Sequence, residues 1–178
     1  MRPFLWYYVI VAFVLDFCSL IIFRHQTDAR FVIANVYLIV EFILISWYYS
    51  RRWKHAYIVG ILMLVLFIGY LTINGIHHFS GSVAAILLFP TYLVYCIRDM
   101  YVILQQQRVR FIERSSAFWV NLAIITYFSG NFFLFLFLEY LTQIHHVDII
   151  ITLWIVHDIL NILMQVFLAL SFRQKESK

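Results

Sequence analysis

The chain has 178 residues, 64% of them hydrophobic and 12% charged, and a formal net charge of +4. Its sequence pI is about 9.1 and its mean hydropathy +0.88. A soluble domain is about half apolar and about a quarter charged, so an ordinary soluble globular fold is excluded; the composition points to an all-α, polytopic transmembrane bundle forming a single domain over 1–178.

Six apolar runs near the ~20 residues that cross a bilayer are expected to span it: 3–23, 31–50, 57–73, 82–104, 118–141 and 149–172. Their length, and the lack of the period-two alternation of a membrane barrel, argue for helices. The first run carries Asp16 and Cys18. With no small-residue cleavage site after it, it reads as a retained helix and not a signal peptide. His25 and Asp28 follow in a loop, and the second run then carries Glu41. The third run is the shortest and leads into "YLTINGIHH", residues 70–78. The fourth contains Pro90, expected to kink or loosen its helix because proline lacks a backbone donor and crowds the preceding turn. The longest loop, "QQQRVRFIERSSA" at 105–117, precedes the fifth run, which holds "YFSGN" (127–131) and ends in "YLTQIHH" (140–146). That ending echoes 70–78, a faint trace of the parallel repeats found in transporters. The sixth run, "LWIVHDILNILMQVFLAL" at 153–170, places His157, Asp158, Asn161 and Gln165 in an otherwise oily stretch.

Orientation follows from the basic residues. With six spans, eleven of the 13 Lys and Arg fall on the side of the N-terminus, and only Arg24 and Arg30 fall opposite. The expected topology is therefore N-in/C-in in the cell inner membrane, with three outward-pointing hairpins. Trp6, Trp47, Trp53 and Trp119 sit at the expected inner ends, as interfacial anchors do. The basic pI then reflects topology and gives no case for nucleic acid. Cys18 and Cys96 lie inside runs without CxxC spacing and read as inert thiols.

At ~1.5 Å per residue, Asp16, Glu41, Asn131 and the His157–Asp158 pair all fall ~15–20 Å from the inner face. With Asn161 they form an expected buried polar layer contributed by four helices. His157, Asn161 and Gln165, four apart, would form one stripe beside Asp158. Three carboxyls with one imidazole make such a layer a proton-holding or cation-binding site, since burial disfavours uncompensated charge. The competing reading is that these groups only glue helices together. A second set lies on the expected outer loops: His25, Asp28, His77, His78, His145, His146 and Asp148. Imidazole and carboxylate there would suit zinc, copper or nickel, or an external pH sensor, although adjacent histidines are not an established ligand spacing.

Catalytic signatures are sparse. No phosphate loop, dinucleotide fingerprint or metalloprotease motif occurs, and no cofactor is expected. "YFSGN" with His157 resembles the serine and histidine of rhomboid-type intramembrane proteases. Tyr127, however, stands where that family has glycine, and Ser129 and Gly130 read more simply as close-packing residues. The segments "NVYLIVEF" (35–42), "SSAFW" (115–119), "YFSGNFF" (127–133) and "LWIVHDILNIL" (153–163) resemble a group of uncharacterised polytopic proteins of Bacteroidetes, some of them close to sensor-kinase systems. Glu41, Tyr127, Ser129, Gly130 and Asn161 match that pattern, whereas His157 and Asp158 are less typical of it. The resemblance implies a sensory or accessory role.

The leading expectation is a non-enzymatic sensory or accessory membrane module. It would respond through the polar layer and signal through a partner at the cytoplasmic face or through homo-oligomerisation in the lipid bilayer. The alternative is a small proton-coupled or cation-conducting transporter or channel, with a purely structural scaffold as a third reading.

Overall fold

The computed structural model describes residues 6–11, 14, 27–76, 81–105, 112–143 and 147–174. Among these there is no strand. A helical stretch α1 covers residues 6–11; α2 (Thr27–Ser50), α3 (Lys54–Asn74), α4 (Gly81–Gln105), a 3-10 turn (Ile112–Arg114), α5 (Ser116–Gln143) and α6 (Val147–Arg173) follow. Five helices carry windows long and apolar enough to cross a membrane: Val32–Ser50, Lys54–Asn74, Gly81–Gln105, Ser116–Phe137 and Ile151–Arg173. They correspond to the second through sixth apolar runs; most of 3–23 lies outside the described residues. The fold is thus a set of long apolar helices of the kind that make a membrane bundle. At 21 residues, α3 is the shortest of the five.

The chain divides into two compact units, Met1–Leu88 and Phe89–Lys178. The division falls inside α4, one residue before Pro90. α4 runs on unbroken through Pro90. What proline removes is the backbone bond to the carbonyl of Ile86, four residues earlier.

In the first unit α2 and α3 pack as a hairpin. On α2, Asn35, Leu38, Phe42, Ile45 and Tyr49 are buried, at steps of three and four that keep them on one face. On α3 the buried residues are Ala56, Gly60, Phe67 and Leu71. Ala56 and Gly60, four apart, keep the end of α3 nearest the turn thin enough for close approach. Much of α3, including Tyr57, Ile58, Ile61, Leu62, Val65 and Leu66, is exposed and apolar, a surface suited to lipid. The turn is tight: the amides of Arg52 and Trp53 both donate to the carbonyl of Tyr49, at 3.0 and 2.8 Å. The guanidinium of Arg51 lies 4.2 Å over the Trp47 ring and that of Arg52 5.5 Å over Tyr48, a cation–π arrangement suited to an interface. At the far end Gly75 takes φ 88°, and its amide closes the helix on the carbonyl of Leu71 at 2.9 Å. Beyond it, the buried amide of Asn35 donates to the carbonyl of Ile76 at 2.9 Å and ties the end of α3 back to α2.

In the second unit α5 and α6 share the most extensive packing among the described helices. The reason is visible at Gly130, where a Cβ would come within 2.6 Å of Cδ1 of Leu160. The glycine makes room for a leucine of the opposing helix. Rings from α4 fill the other side of α5: Phe89 lies 5.0 Å from Phe128 and 5.6 Å from Phe135, and Tyr92 lies 4.1 Å from Phe128. Ahead of α5, the indole of Trp119 donates to the carbonyl of Glu113 at 2.6 Å, which fastens the 3-10 turn to the helix that follows.

Two substitutions test these closures. Asn35→Leu keeps the branched shape but leaves the Ile76 carbonyl without this donor, and is expected to lower unfolding stability in detergent by about 1–2 kcal/mol. Gly130→Ala is expected to destabilise by about 1 kcal/mol through overpacking, and the penalty should shrink when Leu160→Ala is already present.

Candidate functional site

The α5–α6 joint carries the best-defined polar constellation. His157 points from α6 toward α5, half buried, and its Nδ1 lies 2.8 Å from Oδ1 of Asn131, whose side chain is fully buried. The Asn131 amide nitrogen in turn donates to the carbonyl of Tyr127, one turn back on α5, at 2.9 Å. This second bond decides the first. An amide whose nitrogen is committed to a carbonyl presents its oxygen to the ring, so Nδ1 must carry a proton and donate. In the neutral ring Nε2 is then an acceptor. Around the imidazole stand Trp154, Phe135 and Tyr127, with ring centroids 5.4, 5.6 and 5.8 Å away. Beside it is a water-sized recess of about 10 Å³ lined by Leu134, Phe135, Leu153, Trp154 and His157. A titratable ring is therefore fixed at one nitrogen and bordered by apolar and aromatic surface elsewhere.

Two further polar pairs cross between helices. In the second unit the Asn121 amide of α5 donates to Oδ2 of Asp99 on α4 at 2.8 Å, and both residues are buried. In the first unit the Tyr8 hydroxyl of α1 donates to Oε1 of Glu41 on α2 at 2.9 Å, again with both residues buried.

Of the expected polar layer, His157 and Asn131 are brought together. Glu41 belongs to the other unit, with Tyr8 as its partner. Asp158 is exposed on α6, Asn161 is half-exposed and Gln165 is exposed. The expected stripe His157, Asn161, Gln165 thus runs from the α5 side of the helix outward. Each four-residue step overshoots a full turn by about 40° at 3.6 residues per turn, so residues eight apart lie about 80° apart. Asp16 lies outside the described residues, as do His25, His77, His78, His145 and His146. Asp28 and Asp148 sit on helices at positions without a described side chain. Among the described residues no three His, Cys, Asp or Glu side chains gather as a metal site. Ser129 is exposed, and its hydroxyl donates to the carbonyl of Ile125 at 2.5 Å. Gly130, not Ser129, is the residue that admits the neighbouring helix.

The sequence reading passed over Asn35, Asn121 and Tyr8. Each lies in an apolar run, and a neutral amide or phenol there carries the same warning as a charge, since hydrocarbon offers it no partner.

Comparison with known proteins gives no match to any family model, curated protein or solved structure. A double-mutant cycle should detect the joint: His157→Leu and Asn131→Leu are expected to couple by about 1 kcal/mol in unfolding free energy, the usual size of an interhelical hydrogen bond in a membrane protein.

Proposed function

We propose that the chain is a sensory or accessory module of a bacterial inner membrane, with six spans, both termini cytoplasmic and three outward hairpins, whose signal leaves through a partner at the cytoplasmic face. The observation that carries this reading is the His157–Asn131 joint, which puts a titratable ring between two closely packed helices inside the span Ile151–Arg173. The Nδ1–H bond to Asn131 is compatible with both protonation states. Gaining a proton therefore adds charge and a second N–H at Nε2, away from Asn131.

The other residues that line the recess are Leu134, Phe135, Leu153 and Trp154. None offers a side-chain acceptor, because the indole nitrogen only donates. A new N–H finds no side-chain acceptor among them, so gaining it weighs against the present packing of α5 on α6. That is the coupling a switch needs: a local charge change acting on an element with two arrangements. Ser129 and His157 are committed to other partners, and the proposal takes neither as a nucleophile or base.

The test uses the full chain in proteoliposomes, with Trp154 as the only tryptophan. Acidification from roughly pH 8 to roughly pH 4 should change Trp154 emission in an otherwise native chain and leave His157→Gln unchanged. Proton or monovalent-cation gradients should produce no flux, and the 105–117 loop should cross-link to a cytoplasmic partner in cells. Flux that disappears in Asp158→Asn would instead make the protein a transporter or channel.

A further inference from the structure

α6 presents three faces. Leu153, His157, Leu160, Met164, Leu168 and Ser171 are buried or half-buried, and Leu160 meets Gly130 of α5. Of the two exposed flanks, one carries Val156, Ile159, Leu163 and Val166, which lipid can cover without penalty. The other carries Ile151, Ile155, Asp158, Ile162, Gln165 and Ala169, every one of them exposed. These six recur at alternating steps of four and three and fall within an arc of about 80° at 3.6 residues per turn. The span Ile151–Arg173 is also the least buried of the five, with 11% of its window inside, against 50% for Gly81–Gln105.

Lipid is a poor cover for this second flank. Asp158 lies about 10 Å inside the Ile151 end of the span, and Gln165 about 12 Å inside the Arg173 end, at ~1.5 Å per residue. Ionisable and amide side chains at such depths face protein or water-filled space in membrane proteins, because hydrocarbon offers them no hydrogen bond.

We infer that α6 pairs in parallel with α6 of a second copy of this chain through the face centred on Asp158 and Gln165. Two copies inserted with the same topology can be related by a two-fold axis only if that axis runs along the membrane normal, which sets the two helices parallel and in register. Each residue near the axis then meets its own counterpart. A glutamine amide is complementary to itself, since it has both donors and acceptors. Two carboxyls are complementary when they share a proton, one donating and the other accepting. The remaining positions, three isoleucines and an alanine, repeat with the 3.5-residue period that lets two helices supercoil. The polar pair fixes the register, as single polar positions do in coiled coils. Pairing of this kind requires that α6 cross the bilayer and does not depend on whether His157 senses protons.

Single cysteines in a full-length Cys18→Ala, Cys96→Ala chain, oxidised in liposomes, give the test. Ile155→Cys and Ile162→Cys should form covalent dimers several-fold more efficiently than Val156→Cys and Leu163→Cys on the apolar flank. Energy transfer between labelled copies should show dimerisation weakened about tenfold or more by Asp158→Leu with Gln165→Leu, the scale expected for losing interhelical hydrogen bonds. Asp158→Asn, which keeps donors and acceptors, should retain it. Equal cross-linking on the two flanks, a monomer at all protein-to-lipid ratios, or undiminished association of the double leucine variant would overturn the pairing. In chains given a second cysteine within residues 12–26, intramolecular cross-links from the seam would overturn it in favour of that occupant, as would cross-links from the seam to another protein in cells. Alkaline extraction of the same vesicles separates the two premises: release of the protein would remove the membrane reading, and the pairing with it.

Discussion

Hydrocarbon supplies no hydrogen bonds, so every polar group that a membrane-crossing helix carries must be satisfied by the helix itself or by another part of the protein. Four bonds between distant residues in the described structure answer that requirement. Asn35 reaches the carbonyl of Ile76, Tyr8 reaches Glu41, Asn121 reaches Asp99, and Asn131 reaches His157. Each bond joins residues far apart in the chain, and three of the four rely on an asparagine amide. Association of apolar helices in lipid has little hydrophobic drive, so such bonds and close shape fit must supply the specificity. Gly130 against Leu160 is the shape term in the second unit, and the Ala56–Gly60 pair serves the same purpose in the first.

The same requirement explains why His157 and Asp158 have different fates. Successive residues on a helix point about 100° apart. His157 turns to α5 and finds Asn131 and an aromatic surround, whereas Asp158 turns outward. One dipeptide thus serves two surfaces: an internal joint that can change its charge, and an external face that asks for cover. If both act, a change at the joint is transmitted to the outer face through a single rigid helix, with no need for a longer path.

Much of the architecture was legible in the sequence because span length and composition are dictated by bilayer thickness. The bounds of α3 and α4 lie within three residues of the expected ones. Depth counted along each helix is why Glu41, Asn131 and His157 were singled out. Azimuth was not legible. His157 and Asp158, neighbours in the chain, turn different ways on α6, and the stripe from His157 to Gln165 ignored the drift of a four-residue spacing around the helix. Attention to charge also hid Asn121 and Asn35, whose neutral amides make bonds as consequential as those of the carboxyls. Gly130 was correctly read as a packing residue, while its neighbour Ser129 lies on the exposed side of the helix, where its hydroxyl folds back onto Ile125.

The α2–α3 hairpin carries a consequence for how the protein is made. Its turn is closed by the Tyr49 carbonyl within a few residues, its two arginines are held over Trp47 and Tyr48, and its facing stripes come from one continuous stretch of about fifty residues. A pair of helices so self-sufficient in backbone bonds and packing can leave the translocon together and enter the bilayer as one piece during synthesis.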